Sequence, residues 1–384
     1  MNSQNSKAKK SWMRTPRSLD LEITHNCNLR CKYCSYYSSP GDVSKDLPAW
    51  EWLVFFEELN QCAVTNLTLT GGEAFYRKDL ISIINGIVKN RMRFTILSNG
   101  TLVTEKLAEF IASTGRCDIV QVSIDGPDPE SHDSICGKGS FMKAINGIRI
   151  LQKYRVPVTV RATIHRQNIE DLDKIATFLF EDIGLSSFST NSAEYLGLCQ
   201  QNSEQVKLTV NERSKAMEKL LDLKRKYSGR IHGTAGPLAE AQIWGDMENA
   251  FIKGIENFPG GGCLSSCNGV FTKLAVRADG IIVPCSLLSH IELGRINHND
   301  LLEIWHNHPE LLRLRERQQF SLGEFELCNY CKYRNYCRGG CPGVAYNLTG
   351  SDCHPNPDSC LKLFLDEGGT LPDYNTQVEE NEAK

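Results

Sequence analysis

The sequence predicts an α/β fold: a curved, partial (β/α)6 barrel followed by a loop-rich segment stapled by metal. Three observations carry this. Six short apolar runs alternate with helical patterns between Ser18 and Thr190, and such alternation implies βα units around a parallel sheet. Twelve of the 16 cysteines fall into two groups, three between 27 and 34 and nine between 263 and 360. From Pro259 onward the composition turns to Gly, Cys and turn residues, which looks too poor in apolar side chains for a core of its own.

The strands are expected at Leu19–Ile23, Asn66–Thr70, Phe94–Leu97, Ile119–Ile124, Val158–Ile164 and, more weakly, Ser187–Thr190. Helices are expected over Pro48–Gln61, Asp79–Lys89, Thr104–Ala112, Phe141–Lys153 and Ile169–Phe180, each with apolar residues at helical spacing. Six units fall short of a closed eight-stranded barrel, and functional residues should sit at the C-terminal ends of the strands. The expected division is a polar N-terminus (1–17), the barrel (18–192), a helical bridge (193–262) with helices at Asn211–Tyr227 and Leu238–Ile255, the cysteine-rich unit (263–362) and a polar tail (363–384).

Bulk properties exclude several classes. A net charge of −3 provides no basic field for nucleic acid or an anionic membrane. No apolar run reaches the ~18–20 residues that cross a bilayer, and Met1–Arg17 has no apolar core of the signal-peptide kind. The sequence reads as cytoplasmic. In a reducing compartment clustered cysteines hold metal more often than disulfides. The isolated Cys62, Cys117, Cys136 and Cys199 read as small buried apolar residues.

Cys27-x3-Cys31-x2-Cys34 directly follows the first strand. Three thiolates in so short a loop suit three irons of a cubane cluster and leave the fourth iron open to a ligand. A zinc site would need a fourth ligand nearby, for which His25 is the one candidate. This spacing, with Tyr33 before the last cysteine, resembles the signature of the radical S-adenosylmethionine (SAM) superfamily. The resemblance implies a [4Fe-4S] cluster that binds SAM and yields a 5′-deoxyadenosyl radical. It extends through the first domain. Gly71-Gly72-Glu73 matches the family's GGE motif, its glycines expected to let backbone approach the ligand, and the Glu73 carboxylate or backbone carbonyls there to accept from the methionine ammonium. Ser98 and Asn99, then Ser123 and Asp125, end the third and fourth strands where the family seats ribose and methionine. Arg161 is the candidate clamp for the methionine carboxylate.

Cys267-x12-Gly280-x4-Cys285, then Cys328-x2-Cys331-x5-Cys337-x3-Cys341, then Cys360, resembles the SPASM extension. That resemblance implies two auxiliary [4Fe-4S] clusters, three in all. One would be held by Cys263, Cys267, Cys285 and Cys341, the other by Cys328, Cys331, Cys337 and Cys360, with Cys353 competing for the last place. It also implies a peptide substrate: a ribosomally made precursor that is cross-linked, epimerised or cut. Trp12-Met13-Arg14-Thr15-Pro16-Arg17 and Cys34-Ser35-Tyr36-Tyr37 resemble the peptide maturases that include the tyramine-excising spliceases, which adds backbone splicing to an α-keto-β-amino acid to what the resemblance implies. Alternatives are sulfatase maturation, radical chemistry on a small molecule or haem precursor, and a non-catalytic electron carrier. Sulfatase maturases carry an Asp base after the cysteine equivalent to Cys285, and here that position is Ser286. The short polar N-terminus has no room for a leader-binding module, so a separate small partner is expected, with flavodoxin or ferredoxin as electron donor.

Overall fold

The computed structural model describes residues 12–37, 46–256, 258–265 and 269–373. Its centre is one ten-stranded sheet. The strands are β1 (Ser18–Thr24), β2 (Asn66–Gly71), β3 (Arg93–Ser98), β4 (Cys117–Ser123), β5 (Val158–Ile164), β6 (Phe188–Ser192), β7 (Ile231–Gly233), β8 (Lys273–Val276), β9 (Ile281–Val283) and β10 (Gly294–Arg295). Their order is β10-β9-β8-β1-β2-β3-β4-β5-β6-β7. From β1 to β7 each strand lies parallel beside its predecessor. A singly wound order of this kind puts successive right-handed crossovers on one face, the condition for a sheet that curls into a partial barrel.

The two faces differ in chemistry. Leu19, Leu21 and Ile23 of β1, Leu67 and Leu69 of β2, and Phe94 and Ile96 of β3 are buried and join one continuous core with the surrounding helices. The intervening residues, among them Asp20, Glu22, Thr68, Thr70 and Thr95, line a cavity instead. Strands alternate between opposite faces, so this alternation is the sequence trace of a parallel sheet with a wet interior.

The six expected strands are present, Val158–Ile164 with the same bounds. Three features differ from expectation. The bridge contributes β7 to the sheet edge as well as its helices Val210–Lys226 and Pro237–Ile252. The stretch expected as one helix over 169–180 is a 3-10 turn, an α-helix at Leu172–Thr177 and a π-turn at Phe178–Asp182. The cysteine-rich segment does not lack a core. β8 pairs parallel with β1, and Leu274, Val276, Ile282, Leu301 and Trp305 are buried in the same core as the barrel. Helices Leu301–Asn307 and Pro309–Glu316 supply the apolar area that composition alone concealed.

Candidate active site

The cysteine loop begins where β1 ends. Asp46 accepts hydrogen bonds from Thr24 Oγ1 (2.6 Å), the His25 amide (2.7 Å) and Asn26 Nδ2 (3.2 Å), which turns the chain sharply into Cys27. The loop then docks on β2: the Gly72 amide donates to Thr24 O (2.9 Å) and the Glu73 amide to Asn26 O (2.8 Å). A Cβ on Gly71 would lie 2.1 Å from Thr24 O, and Gly71 also has φ +119°. A Cβ on Gly72 would lie 2.3 Å from Asn26 O. These glycines are therefore required by the approach of the cysteine loop itself, and both also line the cavity described next.

Cys27, Cys31, Cys34, Tyr33, Gly71, Gly72, Ser98, Asn99, Ser123 and Arg161 all line one cavity of about 630 Å³. Glu73 and Asp125 do not line it. Glu73 is fully buried, and its carboxylate accepts from Ser98 Oγ (2.8 Å) and from the amides of Phe75 (3.0 Å) and Asn99 (2.7 Å). It ties the ends of β2 and β3 together, and burial raises its pKa. Asp125 accepts from Tyr33 Oη (2.7 Å), the Thr163 amide (2.7 Å) and Cys136 Sγ (3.5 Å). Both carboxylates act as internal struts behind the cavity wall. Tyr33 is held by Asp125 and stacks on His165.

Two of the three thiols, Cys27 and Cys34, sit among hydrogen-bond donors. The Leu29 amide reaches Cys27 Sγ at 3.4 Å and Asn99 Nδ2 reaches it at 3.7 Å; the Tyr36 and Tyr37 amides face Cys34. Burial pushes the Cys27 thiol up to about 12 and raises Cys34. Desolvated sulfurs facing N–H donors, as at Cys27 and Cys34, are unfavourable as bare thiolates and favourable once a thiophilic metal neutralises them. An iron–sulfur cluster fits this donor set, and N–H contacts of this kind tune its potential. Cys136, expected to be an inert apolar residue, instead engages the thiol of Cys31 and the Tyr33–Asp125 pair. Across the cavity Arg161 donates to Ser189 Oγ (3.4 Å) and faces Glu194; burial lowers its pKa. Glu194, Glu22, Asp46 and Cys136 escaped sequence reading because their partners are remote in the chain.

A second cysteine group forms in the C-terminal segment. Burial, followed by the proximity of Cys337, Cys360 and Cys331, pushes the Cys328 thiol up to about 12. These four residues are thus gathered, with the Gly339 amide on Cys337 Sγ at 3.3 Å. Cys353 lies elsewhere, accepting from Arg313 Nη1 at 3.4 Å. Cys285 and Cys341 each precede a helical turn, and those turns pack so closely that a Cβ on Gly343 would lie 2.5 Å from Leu287 Cβ. Cys263 lies beside the Cys337–Gly339 turn, with the Gly262 amide on Cys337 O (3.0 Å) and the Ser265 amide on Arg338 O (2.7 Å). Cys267 lies outside the described residues. Ser286, next to Cys285, lines the same cavity as Cys27, Cys31 and Cys34.

Comparison with known proteins agrees with this layout. Residues 21–179 match the radical SAM superfamily and residues 267–332 match SPASM, an iron–sulfur cluster-binding domain. The chain is 26% identical over 350 residues to an AdoMet-dependent heme synthase of Methanosarcina barkeri, covering 89% of this chain and 95% of that protein. It is 24% identical over 362 residues to the PqqA peptide cyclase of Rhizobium meliloti, covering 93% and 90%. Its fold is similar to that of Streptococcus suis SuiB bound to the precursor peptide SuiA, with a TM-score of 0.68 at 16% identity over 91% of this chain and 77% of that one. It is also similar to anSMEcpe with bound AdoMet and a Cp18Cys peptide, with a TM-score of 0.66 at 19% identity over 96% and 100%. No helix among the described residues is long and apolar enough to cross a membrane.

Proposed function

We propose that this chain, which belongs to the radical SAM superfamily and carries a SPASM domain, modifies a ribosomally synthesised precursor peptide. The observation that carries the reading is the charge of the cavity. Its wall holds three carboxyl groups, on Asp20, Glu22 and Glu194, and two cations, Arg161 and Lys273; Lys273 is already bound to Asp20 at 2.5 Å. A haem precursor bearing several carboxylates would find both cations already facing carboxyl groups there, whereas a neutral or cationic peptide side chain needs no such partner. The similarity to a PqqA peptide cyclase and the fold shared with peptide-bound SuiB support the same substrate class.

In this reading Cys27, Cys31 and Cys34 hold the catalytic cluster, which when bound supplies the electron that cleaves SAM to a 5′-deoxyadenosyl radical. Gly71, Gly72, Ser98, Asn99 and Ser123 form the SAM seat, and Arg161 clamps its carboxylate. Cys263, Cys267, Cys285 and Cys341 hold one auxiliary cluster, and Cys328, Cys331, Cys337 and Cys360 the other. A small leader-binding protein and a flavodoxin or ferredoxin complete the system, and the units 18–192, 193–262 and 263–362 act as barrel, bridge and SPASM region. Anaerobic incubation with a peptide encoded beside the gene, followed by mass spectrometry, tests this. Splicing would remove a tyrosine-derived fragment, a cross-link two hydrogens, and epimerisation no mass. An unchanged, unepimerised peptide with a tetrapyrrole consumed instead would refute the peptide reading.

A further inference from the structure

The cavity contains an acid that neither cluster needs. Glu22 lies on the inner face of β1, is only 8% exposed, and lines the same cavity as the cysteine loop and Ser286. Its carboxylate is hydrogen-bonded to the hydroxyl of Tyr36, which also lines the cavity. Among the described residues the charged groups that act on it are Arg277, Asp279 and Asp20, and each has another partner. Asp20, on its own strand, is tied to Lys273. Arg277, beyond β8, is taken up by Asp279 and by Glu292 at 3.0 Å. Asp46 stands behind Tyr36.

We propose that Glu22, oriented by Tyr36, is the residue that accepts the proton a substrate loses during modification. The inference rests on the peptide-modifying reading above. In the step, a substrate N–H, O–H or S–H bond breaks, its electron pair stays on the heteroatom, and a carboxyl O–H bond forms on Glu22. The other candidates are committed elsewhere. Asp20 is ion-paired, Glu194 faces Arg161, and His132 Nδ1 accepts the Asp125 amide at 3.1 Å. Ser286 offers only a hydroxyl, a poor base at neutral pH. Burial raises the Glu22 carboxyl to about 7, while Tyr36 pulls the other way. A carboxylate with that proton affinity is a stronger base than an ordinary one, and about half of it is ionised at neutral pH.

The sign follows. Glu22 accepts protons only when ionised, so product formation should rise with pH through about 7. In Glu22→Gln the product formed per 5′-deoxyadenosine should fall by about a hundredfold or more, with partial recovery in Glu22→Asp. Tyr36→Phe removes the hydrogen bond that favours the anion, so it should move the midpoint to higher pH. Wild-type coupling and an unchanged pH profile in Glu22→Gln would overturn the inference while leaving the peptide reading intact. A second arm needs no substrate. Infrared titration of the full protein should show a carboxyl band that disappears with a midpoint near 7 and is missing from Glu22→Gln. A carboxyl at this position already ionised at mildly acid pH would overturn the inference even if no peptide were turned over.

Discussion

Arg317 braces the auxiliary-cluster region, and its replacement by methionine should loosen that region selectively. The side chain is fully buried. Nε donates to Asp352 O at 2.6 Å, Nη2 to His354 O at 2.9 Å, and Nη1 to Ser265 O. It therefore pins the segment entering the first auxiliary group to the segment between Cys341 and Cys360. Methionine keeps much of the apolar volume and removes every donor. Three buried carbonyls each losing a partner would cost about 1–3 kcal/mol apiece. Relief of the buried guanidinium, whose pKa desolvation already lowers, offsets part of this. The net is about 3–5 kcal/mol, as for breaking other buried charged contacts. Global stability is about 5–15 kcal/mol, so the variant should still fold. Hydrogen exchange should quicken at 263–265 and 352–360, and anaerobically prepared protein should lose about four to eight of about twelve irons. Unchanged exchange and full iron in Arg317→Met would refute this reasoning.

Two further outcomes follow from the barrel. Arg161→Ala should weaken SAM binding by roughly tenfold to over a hundredfold, measured by calorimetry on the anaerobic protein, because a charge-assisted contact of about 1.5–3 kcal/mol is lost; unchanged affinity would place the carboxylate's partner elsewhere. Gly72→Ala should displace the cysteine loop, since its Cβ would stand 2.3 Å from Asn26 O, and the first cluster should be lost while the Cys328 group keeps its iron.

Local signals in the sequence were strong where neighbours in the chain cooperate. Val158–Ile164 reads as a strand because five of its seven residues are β-branched, and the three cysteines at 27, 31 and 34 point to a cluster by their spacing. Helix Pro129–Cys136 was also within reach: Asp128 caps it, with the Ser131 amide on Asp128 Oδ1 at 2.9 Å, and Pro129 stands at its first position. Its weak apolar periodicity hid it. The strand β8 was hidden for a different reason. Lys273–Val276 is short, and it becomes a strand by pairing with β1, some 250 residues earlier. Glu22 illustrates what sequence withholds. In Leu19-Asp20-Leu21-Glu22-Ile23 it looks like the solvent side of an edge strand. Only the closure of the barrel, and the arrival of Tyr36 and Arg277, turn that side into a cavity wall. For Glu73 and Asp125 motif position suggested cofactor contact, and what the sequence did not show is that three donors hold each carboxylate.

The most direct test is the yield of 5′-deoxyadenosine. Protein reconstituted and reduced without oxygen, then given SAM, should release 5′-deoxyadenosine and methionine. Cys31→Ala should release none, because it removes one of three sulfurs that line the cavity and would ligate the cluster. Equal release by Cys31→Ala, or a wild-type protein that binds zinc and no iron, would contradict the account at its root.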